Sequence, residues 1–432
     1  MSINRKRLGA LLCVVAVGIA VASTAGAASQ GAPGVTPTSV KIGGTFPLSG
    51  PAALYATIAG AEQAYYGWVN AHGGVNGRMI NDLVRDDQYN PAKTFPAVKK
   101  LVETDKVFAI VGSLGTAPGL ATWNYLNNHQ VPQVLLATGD AYWGTCTATG
   151  SAFRAKPYCT KPKPWTMGWQ PDYPGEAKLY AKYILAHKPA AHIGILYQAD
   201  AYGQNYLDAF RKALGSHKSQ IVDQESYNVT DSGAVVGAHV GALKAHGADT
   251  VALFSTPSAS VAALATMGGA LHWTPLTFLN NVSANRVFLL KAESVGATPN
   301  GVISSSYIKS QSVSPGDPGM QLAHDVIYAT GTAGRKHQFD IGDNNLVYGL
   351  AVAWTFVDAL KHSGANPTRT SFMKAIRNLN ESAGNKNPFV SPGMIVKTNS
   401  ARTFPMEQLI LQKWSSTTHD WKTFGGVVTS GF

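Results

Sequence analysis

The residues of this chain best placed to do chemistry are hydroxyls, amides and tyrosines grouped in short turns. Ser113-Leu114-Gly115-Thr116 sets two hydroxyls and a small-residue backbone just ahead of a helix-forming run. Backbone N–H groups at such a point lack intrahelical partners and can hold a carboxylate, although simple N-capping would select the same residues. Comparable turns occur at 49–55, 137–140, 198–203, 255–258 and 280–283, rich in Ser, Thr, Asn, Gly and Tyr. Such groups orient a small molecule; they do not attack it. The nucleophile elbow, the paired-histidine zinc motif, the phosphate loop and the dinucleotide fingerprint are absent from the sequence. The 12 histidines are scattered singly, and no acid pair stands out for general acid–base work. Asp86-Asp87 reads as a strand-end pair in a solvated turn. The expectation is a binding protein without catalytic residues, cofactor or metal.

Those turns must be held by regular elements. Short apolar runs at 40–46, 107–112, 131–137, 193–197, 250–254 and 276–279 read as buried strands, with helix-length segments between most of them. This strand–helix alternation implies an α/β fold with parallel sheets covered by helices on both faces. The turns just named then fall at the carboxyl ends of strands, where open parallel sheets bind ligands. The rhythm breaks between Gly139 and Pro174, a stretch with three tryptophans and two cysteines. That stretch reads as a decorated crossover between domains.

At 432 residues the chain is long enough for two or three domains. Charged residues make up only 14%, too few for a coiled coil or an acidic disordered chain. Arg5-Lys6-Arg7, an uncharged apolar run and Ala25-Gly26-Ala27 read as a secretory signal over 1–27. The apolar run is shorter than the roughly 20 residues of a membrane span. Its removal takes three basic residues and no acid from a formal charge of +11, leaving 11 − 3 = +8. The basic residues form no dense run, so nucleic acid is not an expected partner. Two cysteines remain, Cys146 and Cys159, and in an exported protein they are expected to join. A metal site or a thiol nucleophile is the alternative, but neither finds a partner at suitable spacing.

Four stretches combine into a pattern. They are Val40-Lys41-Ile42-Gly43-Gly44-Thr45-Phe46-Pro47-Leu48-Ser49-Gly50, Gly60-Ala61-Glu62-Gln63-Ala64, Val69-Asn70-Ala71-His72-Gly73-Gly74-Val75-Asn76-Gly77 and Arg85-Asp86-Asp87-Gln88-Tyr89-Asn90-Pro91, with Asp200-Ala201-Tyr202-Gly203 later. With the export signal, the chain resembles periplasmic binding proteins of the branched-chain amino acid (Leu/Ile/Val) type, the solute receptors of ABC importers. The resemblance covers the chain from about Val40 onward.

It implies two doubly wound parallel-sheet lobes joined by three crossovers, which close on a ligand like a hinge. A leader over 28–39 would precede an N-terminal lobe of 40–168 with 305–400 and a C-terminal lobe of 169–304 with 401–432. It implies an exported monomer that hands its cargo to a membrane permease. By analogy Tyr55 covers the ligand, and Ser113, Leu114, Gly115 and Thr116 hold its carboxylate. Ala137, Thr138, Tyr202 and Gly203 complete the cleft. Where amino-acid binders place an acid against the ligand ammonium, this chain has Asn280-Asn281. An amide cannot neutralise a buried ammonium. Asn281 is therefore expected to bond a neutral group, and the ligand to be a small carboxylate or amide, with Tyr55, Trp143 and Tyr202 suggesting an aromatic one. Asp140 is the other candidate acid. A ligand sensor of the same fold and an exported hydrolase are the competing functions.

Overall fold

The computed structural model describes residues 31–147, 159–310, 316–329, 341–381, 386–399 and 402–429. The expected signal peptide and most of the loop between the two cysteines lie outside the described residues.

The first sheet holds β1 (Ser39–Phe46), β2 (Met79–Asp86), β3 (Ile110–Val111), β4 (Gln133–Leu136) and β5 (Thr166–Gly168), all parallel, in the order β2-β1-β3-β4-β5. Helices α1 (Thr57–Ala71), α2 (Pro91–Glu103), α3 (Thr116–Asn128) and the short α4 (Tyr142–Thr145) connect these strands. The second sheet repeats the plan with β6 (Ile193–Gln198), β7 (Ile221–Tyr227), β8 (Thr250–Phe254), β9 (Leu276–Leu279) and β10 (Ile303–Ser306). Its helices are α5 (Tyr173–His187), α6 (Ala201–Leu214), α7 (Gly233–Ala245), α8 (Pro257–Ala265) and α9 (Arg286–Ser294). After β10 the chain returns to the first lobe as α10 (Pro318–Ala329), α11 (Asn344–His362) and α12 (Arg369–Ile376). It then crosses back as β11 (Gln408–Ser415), antiparallel to β10, and β12 (Asp420–Thr429), antiparallel to β11. The second sheet is thus parallel through β10 and antiparallel at one edge.

Apolar side chains sit on both faces of each sheet. In the first lobe, Ile42, Phe46, Phe108 and Val134 pack with α1 and α11, and Val98, Leu101, Ile110 and Leu126 fill the opposite face. In the second lobe, α7, α8 and α9 cover one face, and α5 and α6 the other. Each fully buried Leu, Ile or Phe contributes about 1.5–3 kcal/mol relative to an exposed one. Helix α11 is buried on nearly all sides, as its almost continuous apolar run requires. It meets α1 closely at Gly349, where an added Cβ would lie 2.5 Å from the Ile58 carbonyl oxygen.

Three sequence expectations change. The stretch 139–174 contains α4 and β5, a fifth strand hidden by its length of three residues. Helix α9 follows β9 where no helix was expected; its N-cap, Asn285, accepts from Val287 N at 3.0 Å. Asp87, read as part of a solvated turn, is fully buried and accepts from Tyr89 N at 3.0 Å and Thr94 Oγ1 at 2.8 Å.

Cys146 and Cys159 form a disulfide, with Cα atoms 5.8 Å apart. It packs with Trp123, Leu136, Trp143 and Phe404, fastening the decorated stretch to α3 and to the segment before β11. Its loss frees a segment spanning 13 positions, a cost of about 3 kcal/mol in the chain-entropy model. Replacing both cysteines by serine is therefore expected to lower the melting temperature in differential scanning calorimetry. An unchanged transition would show that the aromatic packing alone holds the stretch.

Candidate functional site

Both sheets have their order reversal beside the first strand, at β1/β3 and at β6/β8. Loops leave such a reversal in opposite directions and open a crevice outside the carboxyl ends of the strands. Here the two crevices face one another across a single cavity. It is reached from the carboxyl end of every parallel strand except β7: by Tyr55, Tyr89, Leu114, Ala137 and Gln170 after the strands of the first sheet, and by Tyr202, Thr256, Asn281 and Ser306 at the ends of those of the second. The start of α11 closes one side with Asn344, Asn345 and Tyr348. The cavity leaves about 60 Å³ for the centres of water-sized spheres. One water needs roughly 10–15 Å³ on that measure, so the space suits a small molecule.

The expected site residues divide into two groups. Tyr55, Leu114, Gly115, Ala137, Tyr202 and Asn281 line the cavity. Ser113, Thr116 and Thr138 sit behind the wall, and their hydroxyls serve the protein. Ser113 Oγ accepts from Thr45 N at 3.0 Å, and the Thr116 and Thr138 hydroxyls lie 2.6 Å apart. The N–H groups of Leu114 and Gly115 donate to Thr45 O at 3.0 Å and Ala137 O at 3.3 Å. The turn prolongs the pairing of its strand, and that pairing takes up these two donors. Gly115 has φ +105, and a Cβ there would lie 2.6 Å from the Tyr89 ring, so glycine lets the turn pass beneath that ring. Gly203 sits in the first turn of α6, its N–H donating to Asp200 Oδ1 at 3.3 Å. Trp143 and Asp140 do not line the cavity. Trp143 is fully buried beside the disulfide, and Asp140 is fully buried with one oxygen accepting from Tyr142 N at 2.9 Å.

The second-lobe wall is organised around Glu176, in the first turn of α5 and wholly buried. Its carboxyl takes hydrogen bonds from Tyr206 at 2.5 Å, Ser305 at 2.7 Å, Asn281 N at 2.8 Å and Asn281 Nδ2 at 2.5 Å, and it also meets Tyr180. Burial pushes this carboxyl up, and the hydrogen bonds from Tyr180, Tyr206, Ser305 and Asn281 oppose the push. Tyr180 has one hydrogen and faces two acceptors, since Leu279 O is also 2.9 Å away. Tyr173 extends the wall, stacked on Tyr206 at 4.5 Å and edge-on to Tyr202 at 5.2 Å. Opposite, Asp343 caps α11 and holds Asn285 Nδ2 at 2.5 Å and Thr57 Oγ1 at 2.8 Å.

Sequence reasoning missed Tyr89, Gln170, Tyr173, Asn285, Tyr307 and Tyr348, which also line the cavity. Tyr89 carried a usable signal, because it stands in a strand-end turn, where both it and Gln88 take positive φ. Tyr348 carried none; on a buried helix it looks like any other core aromatic.

Comparison with known proteins agrees with this architecture. A family model described as "Periplasmic binding protein" matches residues 39–417. A Leu/Ile/Val-binding protein homolog 3 from Brucella melitensis is 27% identical over 235 residues, covering 54% of this chain. The match spans 58% of that relative's own length. Among solved structures, a branched-chain amino acid ABC transporter protein from Thermus thermophilus with bound valine superposes with a TM-score of 0.77 at 16% identity, over 91% of this chain and 97% of that one. A fatty acid ABC transporter substrate-binding protein from Thermomonospora curvata gives 0.70 at 20% identity, over 93% and 95% of the two chains. Two α/β lobes with matching strand order, a cavity at their facing switch points and a family match over most of the length lead to one assignment: the chain belongs to the periplasmic binding protein family, of the type that includes the Leu/Ile/Val-binding proteins.

Proposed function

We propose that this protein is the extracytoplasmic substrate-binding component of an ABC importer. It takes up a small carboxylate or amide between its lobes, releases it chemically unchanged and delivers it to a membrane permease. The observation that carries this reading is the convergence of strand ends from both sheets on one cavity walled by phenols and amides. Such walls supply hydrogen bonds and aromatic faces without a nucleophile–base pair. The chain crosses between lobes near 168, 304 and 400, and these crossings act as the hinge. Residues 40–168 with 305–400, and 169–304 with 401–432, are the bodies that move.

Titration calorimetry against a panel of small carboxylates and amides, with X-ray scattering on the same samples, tests this. The expected result is one-site binding with a fall in radius of gyration, no turnover, and roughly tenfold weaker binding in Tyr202→Ala. Binding that leaves the scattering curve unchanged and is indifferent to Tyr202 would sink it.

Folding stability also carries a pH dependence. Ala141 N donates to Asn205 Oδ1 on α6 at 3.3 Å, so the turn bearing Asp140 is sealed by the opposite lobe. Burial pushes the Asp140 carboxyl up to about 7; the hydrogen bond from Tyr142 opposes this and the charge of Asp200 adds to it. Its folded value thus lies above the ordinary carboxylate value of about 4. Below that value both folded and unfolded chains hold the proton. Between about 4 and 7 only the unfolded chain releases it, so stability falls as pH rises, by a few kcal/mol at most. Asp140→Asn removes this slope. Its melting temperature relative to the parent is expected to rise from acid to mildly alkaline buffer, whereas a constant difference would show that Asp140 is ionised in the folded protein.

A further inference from the structure

Among the described residues, no lysine, arginine, histidine, aspartate or glutamate lines the cavity. The ionisable groups just behind its walls are acids. Glu176 backs Asn281 and Ser305, Asp343 backs Asn285, and Asp140 and Asp200 lie near Tyr173 and Tyr89. Burial pushes the lining phenols Tyr55, Tyr89, Tyr173, Tyr202, Tyr307 and Tyr348 up, so they stay protonated and neutral. A carboxylate bound here would meet no cation and would have acids at its back, which is strongly unfavourable. An ammonium would find acids and aromatic faces more congenial. Charge therefore disfavours an anion without choosing between a cation and a neutral molecule.

Hydrogen bonding makes that choice. Asn281 turns both its N–H and its Nδ2 toward Glu176, which fixes the orientation of its amide. Asn281 Oδ1 is left buried with no partner in the protein. Gln170, 2% exposed, uses Oε1 to accept from Tyr348 at 3.0 Å, and its Nε2 is also buried with no protein partner. Both residues line the cavity, so its walls hold one unmet acceptor, after β9, and one unmet donor, after β5. A carboxylate only accepts and an ammonium only donates, so each leaves one of the two unpaired. A carboxamide does both and carries no charge. Ile58, Leu114, Val282 and Ile308 supply apolar wall for a short alkyl group.

We propose that the cavity is selective for a short-chain, uncharged carboxamide, bridged between Asn281 Oδ1 and Gln170 Nε2; this rests on reading the chain as a small-molecule receptor. The test is calorimetry at neutral pH with a matched set: isobutyramide, isobutyrate, isobutylamine and valine. Isobutyramide is expected to bind about tenfold more tightly, or better, than each of the other three. Gln170→Leu is expected to erase that advantage. Gln170→Glu, which replaces the free donor by an acceptor, is expected to shift preference toward isobutylamine, a reversal that general loosening of the wall would not produce. Tighter binding of isobutyrate or valine overturns the proposal while leaving a small-solute receptor in place. Heat from none of the four overturns it as well. Native mass spectrometry of the protein as purified then tests the receptor reading separately, and the absence of any bound small molecule would count against that reading too.

Discussion

A polar group removed from water must find a partner, and this requirement governs how the two lobes are put together. Parallel strands end in backbone and turn groups that cannot all pair within their own sheet. Placing the two sets of strand ends opposite one another concentrates those groups around one space. Glu176 shows the constraint at its most demanding. It has no cation beside it, and it is tolerated because Tyr206, Ser305 and both nitrogens of Asn281 reach its oxygens. Those bonds tie α5, α6, β10 and the turn after β9 into one rigid wall.

The opposite wall is built by different means. There the turn Ser113–Thr116 extends the backbone pairing of β3, and the Thr116 and Thr138 hydroxyls bond each other. Helix α11 is wedged against α1 by close backbone approach at Gly349, and its capping residue, Asp343, reaches across to Asn285 in the second lobe. Each wall is stiff in itself, while the links between them among the described residues are scattered polar contacts such as Asn285 to Asp343 and Asn344, Ala141 to Asn205, Ser258 to the Pro51 carbonyl, Tyr173 to Thr138 and Gln198 to Tyr89. Stiff bodies joined by sparse polar contacts are what a hinge needs, since opening exposes groups that water can satisfy.

Much of this was legible in sequence because it follows from local periodicity. The buried strand of 40–46, the helix of 116–128 and the turn positions at strand ends depend on patterns within a few residues, and the structure has them. Strand β5 was not legible, because three residues cannot show alternation and its partner β4 lies thirty positions earlier. Helix α9 was not legible although it has an Asn cap, because its 9 residues show little more than two turns of helical periodicity. For the site, Tyr55, Tyr202 and Asn281 stood at recognisable turns. Tyr348 and Gln170 did not, because a buried helix residue and a residue in a proline-flanked crossover reach the cavity only through tertiary packing. Ser113, Thr116 and Thr138 stand at the expected turn, but residue type alone cannot tell a hydroxyl that faces a cleft from one that closes a loop.

The amide at position 281 takes its meaning from what lies behind it. An acid in direct contact with a solute selects for positive charge. In this protein the carboxyl sits one layer deeper, at Glu176, and Asn281 stands between it and the cavity with its nitrogens turned inward. The amide converts a charge into a dipole whose outer end is a carbonyl oxygen. Five surrounding donor groups occupy the carboxyl oxygens, so Asn281 rather than the acid meets the cavity. A wall built this way turns hydrogen-bonding groups, not charged ones, toward the cavity. Among the described residues no lysine, arginine or histidine lines the facing wall either, so amides, hydroxyls and phenols are the polar groups on both sides.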